Sequence, residues 1–170
     1  MITTWPISDV TTLDTTHKRL HEGRFFSGGY YNSSLADTGV LEIVIQSSAT
    51  IYSHLSIEAS SSGNCIVELF SGATFSAAGT SITMSNHNRN SAKSFSGTVT
   101  HTPTLTANGT QINGTGFLAA GQKGDGFGVF EGFTGEFLLA LSTTYLIRIT
   151  NVSGGAAKVS SDIRIYQPNL

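Results

Sequence analysis

His17 and His21 stand four residues apart with Glu22 directly after them. On a helix that spacing puts two imidazoles on one face, the start of a zinc site. The His-Glu-x-x-His order of zinc proteases is absent, and no two histidines stand two apart, so a surface or hydrogen-bonded role is the better reading of both. His54 lies in an alternating run and His101 just before Pro103, where each reads as packed or exposed singly. Glu42, Glu58 and Glu68 fall on three successive alternating segments. Glycoside hydrolysis needs two such acids converging across a cleft, but each of these fits the solvent-facing phase of its own strand. Gly114-Thr115-Gly116-Phe117-Leu118-Ala119 matches the letters of a dinucleotide fingerprint. An Asn-Gly turn precedes it and a glycine-rich stretch follows, so no helix N-terminus is expected to receive a pyrophosphate.

Two further features remain. Residues 86–90, Asn-His-Asn-Arg-Asn, form the most unusual polar cluster. They could hydrogen-bond a sugar or clamp a carboxylate through the Arg89 fork. The favoured reading is a side-chain-capped turn, with Arg89 tying the loop to a neighbouring strand or subunit. Cys65, the only cysteine, precedes Ile66 and Val67 and is expected to pack as a small hydrophobe.

The elements that must position these groups read as strands. Leu41, Ile43 and Ile45 alternate with Glu42, Val44 and Gln46, and Ile51, Ser53, Leu55 and Ile57 with Tyr52, His54, Ser56 and Glu58. That period of two marks half-buried strands. Residues 65–70, 95–101, 104–106, 137–141, 144–150 and 159–166 continue the pattern, and Ile82 with Met84 marks another strand. Residues 121–135 hold six glycines with Phe127, Phe130 and Phe133, and read as a long loop whose aromatics fill the core or meet another subunit. Residues 15–22 are the only stretch with helical spacing, and they fall below the roughly 12 residues that a lone helix needs. The expectation is an all-β single sandwich, jelly-roll-like, over residues 39–170, preceded over 1–38 by an extended N-terminal arm and a first extended segment.

Composition narrows the function. Only 20 of 170 residues are Asp, Glu, Lys or Arg, against 44 Ser and Thr, which leans away from an enzyme and toward a built surface. A net charge of −2 leaves no footprint for nucleic acid or an anionic membrane. No basic and apolar leader opens the chain, and no run approaches the roughly 20 apolar residues of a membrane helix, so folding in a cytoplasm is expected. Three of the nine basic residues, Lys18, Arg19 and Arg24, lie within residues 14–24, ahead of a nearly neutral body.

Several phrases, in order, resemble short structural proteins of tailed bacteriophages. They are His17-Lys18-Arg19-Leu20-His21-Glu22-Gly23-Arg24-Phe25, then Val67-Glu68-Leu69-Phe70-Ser71-Gly72 with Ser76-Ala77-Ala78-Gly79-Thr80. Asn86-His87-Asn88-Arg89, Pro103-x-Leu105-Thr106 with Gly109-Thr110, and Thr144-Tyr145-Leu146-Ile147-Arg148-Ile149-Thr150-Asn151 complete them. The resemblance is to head decoration (cement) or minor virion components. It implies a β-sandwich assembling as a homotrimer on the virion head surface, with the major capsid protein as partner, no cofactor and no catalytic residues. In this reading His17, Arg19, His21, Arg24, Phe25, Arg89, Phe127, Phe130 and Phe133 make capsid or subunit contacts. The alternative is a carbohydrate- or receptor-binding module of a tail, fibre or head surface. There Tyr30, Tyr31 and residues 86–90 would offer an aromatic platform and polar groups to a host-surface glycan.

Overall fold

Alternation of apolar and hydroxyl-bearing residues gives each strand one face to bury, and the chain satisfies it by packing two antiparallel sheets face to face. The computed structural model describes residues 15–113, 115–119, 128–131 and 136–168, with side chains described for all but 15–17 and 128–131. A helix, α1 (Thr15–His21), precedes the strands β1 (Phe25–Leu35), β2 (Val40–Ser47), β3 (Ser53–Ser61) and β4 (Cys65–Ser71). Short pieces follow: β5 (Thr74–Ala77), β6 (Thr80–Ser81), β7 (Ser85–Asn86), β8 (Gly97–His101), β9 (Thr104–Ala107), β10 (Thr110–Gln111) and β11 (Gly116–Leu118). The chain closes with β12 (Gly128–Glu131), β13 (Phe137–Leu139), β14 (Thr144–Asn151) and β15 (Ala157–Tyr166).

The first sheet runs β12-β3-β15-β1-β7, with β13 also on β3. The second runs β10-β4-β14-β2-β8-β6, with β11 also on β4. Between them lies a dry core: Leu55, Ile57, Val159, Ile163 and Ile165 from one side meet Leu41, Ile43, Ile45, Val67, Leu69, Ile147 and Ile149 from the other. Each such side chain taken out of water contributes about 1.5–3 kcal/mol, so this interface is what holds the sandwich together. Cys65 is fully buried in it, as its neighbours implied.

Three local expectations need correction. Residues 25–35 do not stand apart from the body. They form β1, paired with β15 from Phe25↔Tyr166 to Leu35↔Ala157, and Phe26 is fully buried. The glycine and aromatic run hid the strand because its two faces are not cleanly apolar and polar. Ile82 and Met84 are not a strand of their own. The chain there passes from β6 on the second sheet to β7 on the first, and the two side chains plug the gap against the core. Finally, residues 121–135 are not loop throughout, since β12 pairs with β3, with Phe130 opposite Ala59. Flanking glycines diluted a strand signal carried by Val129 and Phe130 alone.

Candidate functional site

The basic segment folds into α1 because its end is well capped. Gly23 takes a φ of +65°, Gly23 N donates to Leu20 O at 3.1 Å, and Arg24 N donates to Arg19 O at 3.1 Å. This paired closure satisfies the last carbonyls of a helix and favours glycine at that position. A Cβ on Gly23 would also lie 2.2 Å from Ser91 Oγ. Lys18, Arg19 and His21 occupy the last turn, where cations oppose the negative end of the helix dipole.

Side chains then clamp α1 to one end of the first sheet's outer face. Arg19 Nη1 lies 2.9 Å from Glu136 Oε1, and His54 Nδ1 lies 3.1 Å from Glu136 Oε2. The Arg19 guanidinium stacks 4.0 Å above the Tyr166 ring. Arg24 donates to Pro168 O and approaches Glu22 at 3.3 Å, while Gln167 N donates to Arg24 O at 3.0 Å. Arg19 and Arg24 are thus engaged inside the chain. Residues 86–90 form the side-chain-capped turn that was favoured, but the residues that tie it are Asn86, His87 and Asn88. Asn86 Nδ2 donates to Gly23 O at 2.9 Å, Asn88 Nδ2 donates to His21 O at 2.8 Å, and His87 packs edge-on against Phe25 at 4.6 Å. Arg89 is exposed on the loop.

Arg19, His21, Arg24, Phe25 and the Arg89 loop are therefore gathered at one end of the first sheet. His17 lies in α1 and Phe130 in β12, both with side chains outside the described ones, and Phe127 and Phe133 lie outside the described residues. The platform of Tyr30, Tyr31 and residues 86–90 does not form. Tyr30 stacks on His101 at 3.7 Å and packs against the core, Tyr31 points to solvent, and residues 86–90 sit by Phe25 at the other end of β1.

The outer face of the second sheet was not anticipated as a feature. It has three bands. In the first, Phe70, Leu146, Val44 and Thr100 stand in register across β4, β14, β2 and β8. The two-stranded ribbon of β5 and β9 lays Phe75 and Leu105 over them, making a second small core with Ala73. In the middle band Arg148 sits between Glu68 and Glu42. Its Nε and Nη2 donate to Glu42 Oε1 at 2.9 and 2.6 Å, and Nη2 also donates to Asn108 Oδ1 at 2.8 Å. In the third band Phe117, Ile66, Thr150 and Val40 stand in register across β11, β4, β14 and β2, with Ile66 and Thr150 half-buried. Phe117 is 62 % exposed and Val40 45 %, with Val152 exposed just beyond β14. The sequence signal was there: Val44, Phe70 and Leu146 are apolar in the phase that elsewhere carries charge.

The acids do not converge on a cleft. Glu58 is held by Arg164, whose Nε also reaches Asp162 Oδ2 at 3.0 Å, on the opposite side of the sandwich from Glu42. No group of three or more His, Cys, Asp or Glu among the described residues could hold a metal ion. Burial pushes the Cys65 thiol above its ordinary range, opposed by its hydrogen bond with Ser61 Oγ at 3.1 Å. Fold and surfaces together define an antiparallel all-β sandwich with one ribbon-covered face. Compared with protein-family models, with curated proteins and with solved structures, the chain finds no match in any of the three.

Proposed function

We propose that this chain is a non-enzymatic virion structural protein that binds the outer capsid of a tailed phage as a homotrimer and decorates or stabilises the head. The observation that carries the reading is the row of Phe117, Ile66, Thr150 and Val40, in which Phe117 and Val40 are exposed and Ile66 is half-buried. The same sheet face is kept dry at its other end by the chain's own ribbon, and an apolar row left open on a monomer is the kind of surface that another subunit covers. The topology agrees with this class. Strand orders β1-β15-β3-β12 and β2-β14-β4-β11, with β6, β7 and β8 added at the edges, support a jelly-roll reading of the sandwich, a fold of viral shells. The clamped end bearing α1, Phe25 and Arg89 is then the surface offered to the major capsid protein. Arg19 and Arg24 at that end are held by Glu136, Tyr166 and Pro168, which lowers the entropy they lose on docking.

The test is the solution mass of the full chain, followed by its binding to undecorated phage heads. A species of three times 17.9 kDa that saturates the heads is expected. A monomer that leaves the heads bare overturns the proposal.

A further inference from the structure

We infer that the outer face of the first sheet carries a binding site for a neutral saccharide, centred on Tyr31. Along β1, Gly29 and Tyr31 lie on the outer face, with Gly29 opposite Asp162 and Tyr31 opposite Ser160. Having no side chain, Gly29 leaves a shallow hollow of about 270 Å³ between Tyr31, Ser160 and Asp162. A Cβ at Gly29 would lie 2.6 Å from Ser161 O, so the position stays bare and the hollow stays open.

Each wall suits a sugar ring. Tyr31 is 55 % exposed, an unusual cost for an aromatic side chain, and its face can take the axial C–H groups of a pyranose. Arg164 Nε engages Asp162 through Oδ2, leaving Oδ1 as a charged acceptor for sugar hydroxyls. Ser160 and Ser60 share one hydrogen bond at 2.6 Å, and the pair keeps a further donor and acceptors. An aromatic face beside a few convergent polar groups is the general form of a small-ligand site.

The same groups argue against other ligands. Arg164 is shared between Glu58 and Asp162, so two carboxylates face one guanidinium and an anionic ligand is repelled. A quaternary ammonium would require an aromatic cage, and among the described residues Tyr31 is the only exposed aromatic at this place. The site lies on the face opposite the Phe117 band, so a subunit covering that band leaves it open, and the inference does not depend on the capsid reading.

The test uses the isolated full chain on a printed array of neutral glycans, with the best binder titrated calorimetrically and an oligogalacturonate as anionic control. Saturable binding of a neutral glycan is expected. Tyr31→Ala should weaken it about ten-fold, the worth of a stacked aromatic face. Asp162→Asn should weaken it too, while Tyr52→Ala, at an exposed tyrosine elsewhere, should not. Unchanged thermal melting would confirm that the variants fold. No saturable neutral binder, full affinity in Tyr31→Ala, or preference for the anionic control would each overturn the inference.

Discussion

Asn151 offers the sharpest test of what holds the sandwich together. It is fully buried at the end of β14. Its Nδ2 donates to Leu35 O at 2.9 Å, Ala36 O at 3.0 Å and Gly155 O at 2.7 Å, and its Oδ1 accepts from Ser153 N at 3.0 Å and Ser153 Oγ at 2.7 Å. One amide thus ties the turn after β1 to the turn after β14. In Asn151→Ala, Ala36 O keeps Gly39 N and Gly155 O keeps Ser153 Oγ, whereas Leu35 O loses its side-chain donor inside the protein. The bond lost at the Leu35 carbonyl costs about 1–3 kcal/mol and the four other lost bonds about 0.5–1 kcal/mol each, for a total of about 3–7 kcal/mol. For a domain of this size that lowers the melting temperature by about 6–28 °C. Asn151→Asp separates hydrogen bonding from volume. It keeps the shape but turns a carboxylate toward three carbonyls, so its folded-state pKa rises above the unfolded value. Above the unfolded pKa the folded state then binds more protons than the unfolded one, and stability falls as pH rises. Urea unfolding of both variants at pH 5 and pH 8 reads this directly. An Ala variant within about 0.5 kcal/mol of the parent, the range of an ordinary surface substitution, or an Asp variant more stable at pH 8 than at pH 5, would refute the reasoning.

Two other outcomes are expected. Phe117→Ser should leave the unfolding free energy of the monomer within about 0.5 kcal/mol, because the ring is already mostly in water. It should weaken self-association by up to about 3 kcal/mol per contact, roughly 100-fold, as read by sedimentation; an unchanged association constant would show that the band is not an interface. Cys65, buried and with its thiol pKa raised, should resist a thiol reagent at pH 8 until the chain unfolds, and labelling of the native protein at the rate of a free thiol would contradict its place in the core.

Most of the sandwich was legible because β2, β3, β4, β14 and β15 bury one face each, and a period of two survives in sequence whatever the partners are. The helix was legible only as spacing. What makes it form is the closure at Gly23 and the clamp of Arg19 on Glu136 and Tyr166, contacts 117 and 147 residues away that no local window contains. β12 was lost because glycine hides periodicity. The surfaces were harder still. Val44 looked like an interruption of a polar phase until Phe70 and Leu146 were found beside it, and Tyr31 was separable from Tyr30 only once β1 had a register. Adjacency across strands is the missing dimension in each case.

The scarcity of charge acquires a physical meaning from this arrangement. Desolvating an ion costs several kcal/mol unless a partner comes with it. Most of the described charge on its sheet faces has a partner built in: Glu42 with Arg148, Glu58 and Asp162 with Arg164, Glu136 with Arg19. The ground between them is hydroxyl, as at Ser60 and Ser160, or apolar, as at Phe117 and Ile66. A face made this way strands few ions when a neighbour covers it, which suits the assembly proposed for the second sheet. The proposed roles of the two faces follow their chemistry. The second sheet would offer aromatic and branched side chains to a dry subunit contact, and the first one ring among hydroxyls to the inferred saccharide.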